Sequence, residues 1–133
     1  MGDKALEKLI GVWRLDSFYE KSKESSDWVK WRGKVHGTLI YTMEGFVSVG
    51  WTRYNTQNSD KPQRTTFYTA TYEISSGTVR HTVLEAEDHT RFGKTFTRDF
   101  EINEGKLVLR GKGYGDNMVK LEWSKKNDPE GSS

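Results

Sequence analysis

Residues 37–51 read Gly37-Thr38-Leu39-Ile40-Tyr41-Thr42-Met43-Glu44-Gly45-Phe46-Val47-Ser48-Val49-Gly50-Trp51. Two runs rich in β-branched and aromatic residues, 37–41 and 46–51, flank a short connection that ends in glycine. That arrangement is a hairpin signal. The same signature recurs toward the C-terminus: a run over 67–74, a Ser75-Ser76-Gly77 turn, then runs over 79–85 and 94–102. An Asn103-Glu104-Gly105 turn and runs over 107–111 and 119–123 complete the series. Residues 52–66 hold Pro62 and no aliphatic side chain, and read as the longest loop.

Working toward the N-terminus, Trp28–Trp31 is extended and 20–27 is a polar turn. Trp13, Leu15, Ser17 and Tyr19 alternate with Arg14, Asp16 and Phe18, the period of a strand. Before them, Leu6, Leu9 and Ile10 recur at helical spacing and Gly11 stops the helix, giving one short helix over 3–10. The sum is an all-β chain with a short N-terminal helix and eight to ten strands. Nearly every connection is of hairpin length, which favours a single antiparallel up-and-down β-barrel, since closure removes the exposed edges. One domain over 1–126 is expected, with 127–133 as a disordered tail.

Composition agrees. The 133 residues are 33% hydrophobic but include five Trp, six Tyr and six Phe, and large flat side chains suit a half-buried pleated surface. There is no cysteine, which excludes a disulfide framework, a thiolate zinc site and a cysteine nucleophile. No apolar run approaches the ~20 residues of a membrane helix. The opening residues read as neither signal peptide nor myristoylation site, so a cytoplasmic location is expected. The formal charge is +2 with both signs interspersed, so neither nucleic acid nor a membrane is an expected partner. A monomer or homodimer is expected.

The start Leu9-Ile10-Gly11-Val12-Trp13-Arg14-Leu15 carries a Gly-x-Trp at the entrance to the first strand. It resembles the calycin superfamily, in which the Trp closes one barrel end. Taken with GTLIYTMEGFVSV, the 72–81 strand pair, Arg98-x-Phe100, KLVLRG and LEWSKK, the chain resembles the bacterial lipocalin-like domain family. The resemblance implies a barrel with a cavity, a structural Trp13, and Lys125 of the last strand lying across its ring. The fatty-acid-binding proteins share the Gly-x-Trp but insert two helices after strand one, for which 20–31 is too short and polar.

Candidate site residues come from parity. Val79, His81, Val83 and Glu85 share one strand face; Phe96, Arg98 and Phe100 share another. If the apolar members face inward, so do His81 and Arg98. An imidazole and a guanidinium among aromatics suit a carboxylate, enolate or phenolate. The same pair also fits a satisfied internal network, or an Arg98–Glu85 pair. Tyr41, Trp51, Tyr72, Phe96 and Trp123 are the candidate aromatic wall, each equally able to be core. His36 and His89, near turns, have no ligand spacing, so no metal and no cofactor are expected. The 85–89 acidic stretch reads as a solvated turn, and Gly111-Lys112-Gly113-Tyr114-Gly115 as a wide hairpin rather than a phosphate loop.

The expected function is binding of a small, largely apolar or aromatic ligand with an anionic or polar end inside the barrel. The alternative is a cofactor-independent isomerase or cyclase with His81 as general acid or base and Arg98 stabilising negative charge. A third reading is a solid barrel that acts as an interaction module.

Overall fold

The computed structural model describes residues 3–113 and 117–126. A short helix α1 (Asp3–Leu9) precedes nine strands: β1 (Gly11–Lys21), β2 (Val29–Lys30), β3 (Val35–Tyr41), β4 (Phe46–Tyr54), β5 (Pro62–Ser75), β6 (Thr78–Ala86), β7 (Thr95–Asn103), β8 (Lys106–Lys112) and β9 (Met118–Lys125). A single 3₁₀ turn, His89–Arg91, lies between β6 and β7. From β3 to β9 each strand pairs antiparallel with the next, and β1 pairs with both β3 and β9. Eight strands therefore close into a barrel, and β2 adds only two residues to the outer edge of β1. The expected disordered tail, and part of the 111–115 hairpin, lie outside the described residues.

The β5–β6 and β7–β8 hairpins show why the meander is tight. Ser76 and Gly77, and likewise Glu104 and Gly105, all have positive φ, as a two-residue type I′ turn requires. Such turns match the strand twist, so neighbouring strands pair without splaying.

Three local breaks correct the strict alternation. Asp16 is an extra residue in β1 between the Leu15–Trp123 and Ser17–Glu122 pairs. The bulge shifts the parity, so Phe18 turns inward and is buried while Tyr19 meets Lys120 outside. Leu84 bulges from β6 in the same way, which leaves Val83 inside with Val79 and His81 but turns Glu85 to the exposed outer wall, hydrogen-bonded to Thr69. Glu85 is therefore no partner for Arg98. The long loop is also shorter than its composition suggests: β4 runs to Tyr54 and β5 begins at Pro62, with Gln63 bulged at the edge of the pairing. His36 sits within β3, opposite Thr52, rather than in a turn.

One barrel end is plugged. Trp13 is fully buried, and its indole N–H donates to the Leu9 carbonyl at 2.9 Å, fastening α1 across the opening. Lys125 lies with its ammonium 5.0 Å from the Trp13 ring centroid and donates to the carbonyls of Lys8 and Ile10, satisfying groups left open at the helix end. Gly11 makes room for this: a Cβ there would lie 2.6 Å from Lys125 Cε. The core packs against this plug, with Leu9, Leu39, Tyr41, Val47, Val79 and Leu107 among its buried members.

Candidate functional site

Beyond the plug the interior stays open. A cavity of about 500 Å³ occupies the other end of the barrel. Its inner wall includes His81, Trp123, Leu39, Leu109 and Tyr68, with Phe18, Trp51, Phe96 and Arg98 further out. Phe18 and Trp51 stack with centroids 4.8 Å apart, and Tyr68 and Phe96 lie 5.8 Å apart at a tilt.

His81, 2% exposed, holds the centre. Its Nε2 lies 2.7 Å from the Tyr41 hydroxyl and its Nδ1 lies 2.7 Å from the Tyr68 hydroxyl. Both ring nitrogens are thus engaged. Burial, helped by the nearby Arg98 charge, lowers the imidazole pKa to about 3, so the ring is neutral at physiological pH. Burial likewise pushes both phenols above their ordinary range, keeping them protonated.

Arg98 reaches the same cavity from β7, two pairs along from the His81–Phe96 pairing and so on the same face. Its guanidinium lies 5.4 Å from the Phe96 ring centroid and donates to the Lys112 carbonyl at 3.1 Å. Gly111 on β8 permits this path, because a Cβ there would fall 2.3 Å from Arg98 Nη1. Arg98 and His81 therefore line one space without bonding each other.

The mouth is basic. Among the described residues, Arg53, Arg64, Arg91, Lys94, Arg98 and Lys112 line the cavity, with Glu20 and Asp88 as the acids. Glu20 is paired with Arg53 at 3.5 Å, and Asp88 accepts from Thr90. Arg53 is also held between Phe18 and Trp31, 5.4 and 4.5 Å from their centroids. Two buried donors, Trp123 Nε1 and Arg53 Nε, have no hydrogen-bond partner among the described residues.

Of the residues expected at the site, His81, Arg98, Phe96, Trp51 and Trp123 line the cavity. Tyr41 and Tyr72 face inward but do not. Tyr41 sits behind His81, and Tyr72, its edge-on neighbour at 4.8 Å, donates to the Thr42 carbonyl toward the plugged end. The sequence reading missed Tyr68, Phe18 and the arginines of the mouth. Tyr68 shared parity with Ala70 and Tyr72 and was findable; Phe18 was hidden by the bulge. Among the described residues no three His, Asp or Glu side chains converge as a metal site, and no helix is long and apolar enough to cross a membrane.

No family model and no curated protein matches the chain. Solved structures do. A redesigned β-barrel aligns over 92% of this chain and 96% of its own at 9% identity, with a TM-score of 0.53. A de novo designed fluorescence-activating β-barrel aligns over 92% and 97% at 14% identity, with a TM-score of 0.50. A lipocalin-like protein from Bacteroides uniformis aligns over 90% and 99% at 12% identity, with a TM-score of 0.49. With its strand order and its closure through β1 and β9, the chain has the fold of a closed eight-stranded antiparallel up-and-down β-barrel.

Proposed function

We propose that the protein binds a small, largely apolar molecule with an anionic or hydrogen-bonding end inside the barrel. The observation that carries this reading is the make-up of the cavity: its walls are aromatic, yet among the described residues six basic side chains line it against two acidic ones. A volume of about 500 Å³ suits a small molecule. An acceptor-bearing, anionic end suits the basic side chains that line the space, since hydrogen bonds between charged groups are the strong ones. The designed fluorescence-activating barrel of similar fold supports small-molecule binding in general. A base role for His81 is poorly supported, because both its nitrogens are engaged and its pKa is about 3.

Anilinonaphthalene sulfonate, an aromatic anion whose emission rises in apolar surroundings, tests the reading. Saturable fluorescence that dodecanoate displaces is the expected result. If neither molecule binds, and a Trp51→Ala variant behaves identically to wild type, the cavity is no ligand site.

A further inference from the structure

Tyr41 on β3, His81 on β6 and Tyr68 on β5 form a continuous hydrogen-bonded chain across the barrel interior. We infer that this chain runs in one direction, from Tyr41 through His81 to Tyr68, and presents the Tyr68 phenolic hydrogen to the cavity. There it selects the anionic form of a weak oxygen acid, such as a phenol or an enol, as the ligand's polar end. The inference rests on the cavity being a small-molecule site and names the chemistry that site takes.

The direction follows from counting hydrogens. A neutral imidazole has one N–H and one bare nitrogen. Suppose Nε2 carried the hydrogen. Tyr41 would then accept it, and its own hydroxyl hydrogen, in a residue 1% exposed with His81 as its one hydrogen-bond partner among the described residues, would have nowhere to go. Buried hydroxyls in folded proteins do not ordinarily stay unpaired. The alternative leaves nothing unmet. Tyr41 donates to Nε2, the Nδ1–H donates to the Tyr68 oxygen, and the remaining Tyr68 hydrogen serves the cavity that Tyr68 lines.

The surroundings favour an anion over its neutral acid. Arg98 and Arg91 act electrostatically on Tyr68; Arg98, Tyr68 and Tyr72 act on Tyr41; Arg98 acts on His81. These are cations and phenols. A fixed donor in a water-poor, aromatic-walled space is worth most where the acceptor carries full charge. In this arrangement Tyr68 touches the ligand, and His81 and Tyr41 are positioning residues.

The probe is para-nitrophenol, whose anion absorbs visible light, titrated through the neutral range free and with protein in excess. Bound to the wild type, its ionisation midpoint should fall by at least about one pH unit, a tenfold preference for the anion, or about 1.4 kcal/mol. Tyr68→Phe should return most of that shift. Imidazole nitrogen NMR of the wild type should show His81 protonated at Nδ1 and bare at Nε2, independently of whether any variant folds. Hydrogen on Nε2 overturns the direction. Equal midpoints free and bound, or an undiminished shift in Tyr68→Phe, overturn the anion selection. Dodecanoate binding without para-nitrophenol binding removes this inference and leaves the cavity reading intact; loss of both removes both.

Discussion

His81 shows how one buried side chain ties the polar interior to pH. In the unfolded chain a histidine titrates near its ordinary value of about 6.5, whereas in the barrel its pKa is about 3. Between those values the unfolded state binds the extra proton, so stability is full above about pH 6.5 and is lost as pH falls toward 3. From about pH 7 to pH 5 this linkage should cost the wild type about 2 kcal/mol, and His81→Gln should lack that part of the loss. Urea unfolding of both proteins at the two pH values checks it; equal losses would mean that His81 is not held neutral by the fold. Arg98 differs, since its guanidinium is half-buried beside Phe96 rather than sealed. Arg98→Met should weaken binding of anilinonaphthalene sulfonate by about 2 kcal/mol, the low end for a charge contact, with little change for a neutral aromatic. Unaltered affinity for the anion would remove Arg98 from recognition. Strand parity made both inward positions legible in the sequence. The partners of His81 were not, because Tyr41 and Tyr68 meet it across the barrel interior, and contacts across an interior leave no local spacing to read.

Strands and turns were largely legible for a reason that also explains the failures. Tight Gly-containing turns and period-2 runs are local, and a closed antiparallel meander uses little else. A bulge is also local but silent, since one unpaired residue such as Asp16 or Leu84 needs no special composition. Its effect is nonetheless large: Phe18 moved into the cavity and Glu85 moved out of it. Gly111 and Trp13 give this scale its tests. Ala at 111 would press its Cβ on Arg98 Nη1, and overpacking of this kind costs about 1–3 kcal/mol unless the side chain moves. Gly111→Ala should therefore keep the barrel's circular dichroism but bind the anionic probe more weakly, as Arg98→Met does. Normal affinity with normal stability would show that Arg98 does not need to cross β8. At the other end, Trp13→Ala should lose about 3–5 kcal/mol in chemical denaturation, the range for truncating a fully buried aromatic, because it also unfastens α1. A loss under about 1 kcal/mol would mean that the plug holds nothing.

Across the whole molecule the two barrel ends do opposite work. Strand direction puts Gly11, Tyr41 and Lys125 at the plugged end, and Glu20, Arg53, Lys94 and Lys112 at the open one. The net charge is only +2, so the six basic side chains against two acids that line the cavity among the described residues are a local concentration and not a property of the surface at large. A mouth of one sign with low-dielectric walls focuses the field and raises the local concentration of an oppositely charged ligand. That field should be erased by salt, since the Debye length shrinks from roughly 10 Å at 0.1 M to roughly 3 Å at 1 M ionic strength. Stopped-flow association of anilinonaphthalene sulfonate should therefore slow severalfold over that range, while the dissociation rate changes less, because the contacts inside the barrel are shielded from the solution. Uncharged phenylnaphthylamine, of nearly the same shape, should associate at a rate that salt leaves alone. If both probes slow together, the salt acts on the barrel and not on the charge at its mouth. If neither slows, ligands enter without passing the arginines.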